Sequence, residues 1–407
     1  MINKPIAVFL LLILLPLLIF SGEKKEGCTT AIINGAASAE GVPMLWKNRD
    51  TDVLSNKVIY VEEKPYSYVA LVNADETSGR WVYGGLNSEG FGIMNSVAYN
   101  LPKNDSEMKD LEGLIMADAL RTCRTTDDFE QAIKKNLGGS LGSWANFGVI
   151  DADGNSVIFE VYNHGCKKFN ADETPEKYLI NTNFSRSGQE GKGAGYLRFD
   201  RASALFKEMP GKVTHEYIFQ HIARDFGHPL LRHPTLKELE KIAGNPPLWV
   251  YSRDCINRSS TAAAIIICGK KPGDKESLAT FWVLLGEPIT SIAVPIWVEA
   301  KETPLPLRGG DNRGDKAPIC AEAMRIKHII RPFVEDAKDN YLQVTRLVNM
   351  EKTGFLPLLM KTETEIFYET AEFLQGGLEH RPTPEQLAKF QDKMAQKALD
   401  ALKQVNE

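Results

Sequence analysis

The 407-residue chain is poor in long hydrophobic runs, in cysteine and in surplus charge of either sign. Its longest apolar stretch, Ile6–Phe20, falls short of the roughly 20 apolar residues a membrane-crossing helix needs, which excludes a polytopic membrane protein. With 48 Lys+Arg against 53 Asp+Glu the net charge is −5, so no broad basic surface is available for phosphate neutralisation and nucleic acid is not an expected partner. Six cysteines, at positions 28, 123, 166, 255, 268 and 320, are too few for a disulfide scaffold; one or two bridges or none fit. The seven histidines show neither HExxH nor any other metal-ligand spacing and read as exposed or helix-surface imidazoles. No metal and no cofactor are therefore expected. What remains, at 43% hydrophobic and 25% charged, is ordinary globular composition with a length that fits one or two domains.

The N-terminus reads as an address. Lys4 precedes the apolar run, the small pair Ser21-Gly22 follows it, and Glu23–Glu26 is polar, which is the charged, apolar and cleavage order of a secretory signal peptide. Lys25-Glu26-Gly27 before Cys28 is no lipoprotein box. A periplasmic or secreted location is expected, with an uncleaved membrane anchor as the alternative and no stable membrane span after processing.

From Thr29 to about Asn100 short β segments alternate with turns: Thr30–Ile33, Met44–Lys47, Lys57–Val61, Tyr68–Val72, Trp81–Tyr83 and Gly92–Ser96. Helical spacing follows over Leu111–Cys123, and Thr125-Thr126-Asp127-Asp128 caps a second helix over Phe129–Lys135. Phe147–Ile150 and Ser156–Tyr162 flank an Asp151–Gly154 turn and form a hairpin; Tyr178–Asn181, Thr261–Cys268, Ala279–Leu285 and Ile289–Val298 read as further strands. Helices are expected over Arg198–Lys207 and His215–Asp225. Leu305–Asp315, rich in Gly, Pro and charge, reads as a long surface loop. From Ala321 the chain is mostly helical, ending in the capping box Thr383-Pro384-Glu385-Gln386 and the core-facing stripe Leu387, Phe390, Met394, Ala398 and Leu402.

The chemically informative stretch is Gly27-Cys28-Thr29-Thr30 entering a strand, with Lys47-Asn48-Arg49-Asp50 about twenty residues on. A cysteine that becomes the first residue carries a thiol and a free α-amine. That amine, with a pKa of about 7.7–8.0, can accept the thiol proton near neutral pH, so nucleophile and base come from one residue and no histidine is required.

Together, Cys28-Thr29-Thr30, the Asn48-x-Asp50 pair, the Gly85–Gly90 turn, the Asn146–Asp151 strand and Asn181-Thr182-Asn183-Phe184 resemble the acyl-coenzyme A:6-aminopenicillanic acid acyltransferase family of N-terminal-nucleophile hydrolases, with choloylglycine hydrolases as relatives. The resemblance covers about Cys28 to Cys268. It implies an α+β fold, a four-layer αββα sandwich; the helical C-terminal extension lies past the resemblance. It also implies a cysteine enzyme that cleaves a linear amide (an N-acyl amino compound, small peptide or bile-salt-like conjugate) or transfers its acyl group. Carried over, Cys28 is the nucleophile, Asp50 holds its α-ammonium group, Asn183 donates its side-chain amide to the oxyanion, and Asn95 is a second polar contact. Of Arg198 and Arg201, which match an arginine-bearing helix start, Arg198 is the favoured one. Lys47 stands where the bile-salt enzymes have arginine.

The domain division that follows is 1–22 as signal peptide, 23–27 as a short propeptide, 28–300 as the amide hydrolase domain and 301–407 as a loop and helices packing on the sandwich. Freeing the amine needs a cut between Gly27 and Cys28, by Cys28 itself or by a separate protease. The expected partner is a small-molecule amide; a homo-oligomer contact through the C-terminal helices and a non-catalytic periplasmic binding protein stay open.

Overall fold

Two antiparallel sheets lie face to face, each covered on its outer side by helices. The computed structural model describes residues 27–102, 109–138, 141–274, 276–310, 314–333, 338–376 and 381–406. Residues 1–26, over which the signal peptide (1–22) and most of the short propeptide (23–27) are expected, lie outside them.

In chain order the strands are β1 Gly27–Ile33, β2 Met44–Asp50, β3 Asn56–Val61, β4 Tyr68–Asn73, β5 Gly84–Asn87, β6 Gly92–Val97, β7 Trp144–Ile150, β8 Ser156–Tyr162, β9 Gly165–Asn170, β10 Tyr178–Asn181, β11 Trp249–Tyr251, β12 Thr261–Cys268, β13 Thr280–Leu285, β14 Val294–Ile296 and β15 Tyr341–Gln343. One sheet runs in the order β10-β1-β2-β12-β13-β14; the other is the meander β3 through β9 in sequence order; β11 and β15 form a small ribbon. β12 is an almost unbroken apolar run, Thr-Ala-Ala-Ala-Ile-Ile-Ile-Cys, because it is buried on both faces. One face meets the meander sheet and the other meets helices.

The meander's outer face is covered by α1 Glu112–Thr122 and α2 Thr126–Lys135, over a core of Phe91, Phe129, Phe147 and Phe159. The Phe129 and Phe159 rings meet edge-on at 5.3 Å. The other sheet is covered by α3 Tyr196–Glu208 and, after the short helices α4 His215–Tyr217, α5 Leu236–Leu239 and α6 Leu305–Arg308, by α7 Pro318–Ile330, α8 Leu356–Gly376 and α9 Pro384–Lys403. Leu387, Met394, Ala398 and Leu402 on α9 are buried, and Thr383 with Gln386 makes the capping box. The C-terminal helices share one continuous core with the first sheet. The architecture is the αββα sandwich.

Four details differ from the expectations. The segment Trp81–Tyr83 is not a strand; the strand is Gly84–Asn87. Its first two residues have no side chains because a Cβ on Gly84 would collide with Ile265 of the facing sheet, and one on Gly85 would lie 2.6 Å from Leu120 of α1. Ile289–Val298 splits into a 3₁₀ turn at Pro288–Thr290 and the edge strand β14, where Pro295 is tolerated. β9 is a polar edge strand with no alternation to betray it. Leu305–Asp315 is not all loop: α6 forms there and buries Pro306 and Leu307. The six thiols are unpaired.

Candidate active site

The register of three neighbouring strands sets the site. Gly27 pairs with Asp50, Cys28 with Arg49, and Thr261 with Asp50 from the other side, so the start of β1, the end of β2 and the start of β12 share one end of the sheet. Side chains directly opposite in an antiparallel pair share a face. Cys28 and Arg49 therefore lie on one face together with Lys47, while Asn48 and Asp50 lie on the other.

The first face looks toward the meander. Lys47 Nζ donates to the Tyr83 carbonyl at 2.8 Å and to Asn95 Oδ1 at 2.7 Å, and the Arg49 guanidinium lies 3.4 Å from the centre of the Tyr83 ring. Because an ammonium can only donate, Asn95 must present its oxygen to Lys47 and its Nδ2 away from it. No acceptor is bonded to that Nδ2 among the described residues. Cys28, Lys47, Arg49, Asp50, Tyr83, Asn95 and Asn183 border one cavity of about 170 Å³, which Trp81, Asp110 and Glu112 also line.

Behind the cysteine sits a buried charge cluster. Asp50, 1% exposed, accepts from Arg258 Nε at 2.9 Å and Nη2 at 2.7 Å and from Thr261 Oγ1 at 2.6 Å, with Arg198 Nη1 at 3.8 Å. Arg198 donates to the Cys28 carbonyl at 2.7 Å, to Thr29 Oγ1 at 2.9 Å and to Asn183 Oδ1 at 2.6 Å. Burial, followed by repulsion from Arg258, lowers the Arg198 pKa to about 10, and the Asp50 carboxylate opposes that shift. Arg201, the other arginine of α3, pairs with Asp225 at 2.6 Å, away from this cluster.

Asn183 joins the two faces. Its Oδ1 accepts from the Cys28 backbone N–H at 3.1 Å, and its Nδ2 donates to the Val97 carbonyl at 3.0 Å. Since Arg198 can only donate, this orientation of the amide is dictated by its neighbours. The amide nitrogen expected to face an oxyanion is thus committed to Val97, and the oxygen faces the cysteine.

Gly27, still joined to Cys28, lies among these groups. A Cβ there would collide with Arg258 and stand 3.1 Å from Asn183 Oδ1 and 3.2 Å from Arg198 Nη2. Only glycine fits beside both guanidiniums. Of the other thiols, burial pushes Cys123 and Cys166 up to about 11 and Cys255 to about 12, and none borders this cavity.

Sequence reasoning missed Arg258, Thr261 and Glu112. Arg258-Ser259-Ser260-Thr261 directly before the buried β12 was the available signal for the first two, since a cation and a hydroxyl at the mouth of an apolar strand need a buried partner.

Four layers, with Cys28 the second residue of the first strand, make an αββα sandwich. Neither a protein-family model nor a curated protein sequence matches the chain. Among solved structures it is similar to a Caenorhabditis elegans ortholog of N-acylethanolamine-hydrolyzing acid amidase, at 15% identity and a TM-score of 0.41 over 61% of this chain and 95% of that one. It is also similar to penicillin V acylase from Agrobacterium tumefaciens, at 15% identity and 0.40 over 66% and 86%. A variant of conjugated bile acid hydrolase from Clostridium perfringens gives 12% and 0.39 over 70% and 95%. These are likenesses of fold.

Proposed function

We propose that the chain is a cysteine amide hydrolase that works through Cys28 once the residues before it are removed. The observation that carries this is the placement of Cys28: its thiol borders the cavity, while its backbone N–H meets Asn183 Oδ1 and its carbonyl meets Arg198. A disulfide or a packing role needs none of those partners.

Removal of Gly27 turns the Cys28 N–H into an α-amine at a position where Asn183 Oδ1 already accepts a hydrogen bond, next to the place that Gly27 held opposite Asp50 in the register. That amine takes the thiol proton. The thiolate attacks the amide carbon, and the tetrahedral oxygen is received by Asn95 Nδ2 with the Lys47 cation behind it. Collapse breaks the C–N bond; the α-ammonium gives its proton to the leaving nitrogen, leaving a thioester on Cys28. Water, deprotonated by the α-amine, then hydrolyses the thioester and restores the thiol. An amine in place of water in that last step gives acyl transfer from the same site.

Leader removal by Cys28 attack on the Gly27 carbonyl is consistent with the room that glycine leaves at position 27. An exported location is part of the same proposal and rests on the leader sequence.

The test is the intact mass and first residue of the purified protein, beside Cys28→Ala. We expect the wild type to start at Cys28 and to release product from linear amides, and the alanine form to keep Gly27 and be inert. A protein that turns over amides with Gly27 still attached overturns the mechanism.

A further inference from the structure

The mechanism leaves one wall of the cavity unused. Glu112, the first residue of α1, is 3% exposed, and its Oε1 accepts from Ser143 Oγ at 2.9 Å and from the Trp144 N–H at 3.1 Å. No group of the described protein donates to its buried Oε2, although Glu112 when protonated can itself donate to Asp110. Its neighbour is another carboxyl, that of exposed Asp110, held at a φ of 53°. Both residues border the cavity that holds Cys28.

A buried carboxyl oxygen with no donor calls for an explanation, because nearly all such atoms in folded proteins have a partner. Burial and the adjacent Asp110 raise the Glu112 pKa to about 8, which says that the empty protein offers this oxygen no cation. The cavity's cations stand elsewhere. Lys47 is bonded to Tyr83 and Asn95, and Arg49 is seated on the Tyr83 ring. The cavity is thus lined by both signs of charge, with Lys47 and Arg49 already engaged by Tyr83 and Asn95 and the Asp110–Glu112 carboxyl pair without a cation among the described residues. At about 170 Å³ it has room for about six water molecules, so only a small substrate group fits in it together with the amide. Two carboxyls are also a sparse ligand set for a divalent ion, which takes six or more oxygens when it is calcium. A primary ammonium, with its three donors, suits them.

We propose that Asp110 and Glu112 form an ammonium subsite, so that the amides cleaved at Cys28 carry a primary amine one or two carbons from the scissile carbonyl, as aminoacyl amides do. This rests on Cys28 being the amide-cleaving nucleophile.

The experiment compares matched p-nitroanilides that differ only in the α-amino group: glycyl against acetyl, alanyl against propionyl, and leucyl against 4-methylpentanoyl. The expected wild-type preference in kcat/KM for the amino member is about ten- to hundredfold, the range set by a hydrogen bond between charged groups. Asp110→Asn, a change at an exposed side chain, and Glu112→Gln, which keeps an oxygen for Ser143 and Trp144, are each expected to cut that preference at least threefold and together to bring it near unity. A preference that survives both changes, or a wild type that favours the des-amino members, overturns the subsite while amide cleavage stands. Wild-type protein that cleaves none of the six, or Cys28→Ala protein that still cleaves them, overturns the nucleophile and the subsite with it. Addition of a chelator is expected to leave the preference intact; its disappearance would mean that the carboxyls hold a metal instead.

Discussion

Two of the buried ion clusters among the described residues differ in how their charges balance. In the first, Arg224 and Glu363 form a bidentate pair at 2.6 and 2.8 Å, and every remaining group is used: Arg224 also donates to the carbonyls of Phe219, Pro288 and Ser291, and Glu363 also accepts from the Ala293 N–H. One cation meets one anion in a closed shell, tying the segment after α4 to α8 and to the chain before β14. In the second, Arg258 and Arg198 share the Asp50 carboxylate, with the more distant Asp254 also acting on Arg198, and the cluster opens onto a cavity through Asn183 and Cys28. Its ion pairs hold two cations to one anion. A closed, balanced cluster holds elements together; an open, unbalanced one is arranged for charge that arrives with a ligand or develops during a reaction.

The sharpest way to break that comparison is at the thiol. Cys28→Ala removes the nucleophile without disturbing either ion cluster, and activity should fall at least 10³-fold, with the denaturation midpoint changing little, as measured by amide turnover and urea titration on the same preparation. Next in size is Glu363→Gln, which leaves Arg224 buried without its counter-charge. It should cost about 3–5 kcal/mol of stability while the folded fraction keeps its turnover. If Glu363→Gln instead abolished turnover in folded protein, the division into a holding cluster and a reacting cluster would be wrong. A third test separates the leader from both. Gly27→Ala places a methyl against Arg258, whose guanidinium can yield only by loosening its grip on Asp50. Release of Cys28 as the first residue should slow by about tenfold, a loss of roughly 1.4 kcal/mol that mass spectrometry over time would follow.

The α+β layering was legible from the sequence because its strands are short, patterned and punctuated by turns, whereas the αββα sandwich followed from the family resemblance. Ser156–Tyr162, Tyr178–Asn181 and Thr261–Cys268 fall where the pattern puts them. Gly84–Asn87 was not legible, since glycines selected for close approach carry no hydrophobic signal, and α6 was hidden because Leu307 is buried by distant chain rather than by its own neighbours. In the site, Cys28, Asp50, Asn183, Asn95 and Arg198 come together around one end of β1, although they span 170 residues. Sequence order did not reveal Arg258 as the principal partner of Asp50. Nor did it show which end of the Asn183 amide faces the cysteine. Both depend on which groups the fold makes neighbours: a donor-only guanidinium decides the orientation of an amide, and no local motif records it.

An effect of about the same size concerns the Glu112 carboxyl of the cavity, and it has a definite sign. Glu112 titrates near 8 in the folded protein against about 4.3 in an unfolded chain, with burial the main cause and Asp110 the next. Between those values the folded state holds a proton that the unfolded state has released, so this group makes stability fall as pH rises from about 4 to 8 and adds no further slope above that. Glu112→Gln removes the titration and keeps an acceptor for Ser143 and Trp144. Relative to wild type, the glutamine form should therefore gain stability on going from pH 5 to pH 9, by roughly 1–2 kcal/mol after allowance for solvent reaching the cavity. Urea denaturation at the two pH values measures it. The same gain should shrink when a slowly cleaved aminoacyl amide saturates the wild type, because a bound ammonium holds Glu112 in its charged form. If the glutamine form instead lost stability at pH 9, a cation already faces that carboxylate in the free protein, and Glu112 would join the Arg224–Glu363 pair among the closed clusters.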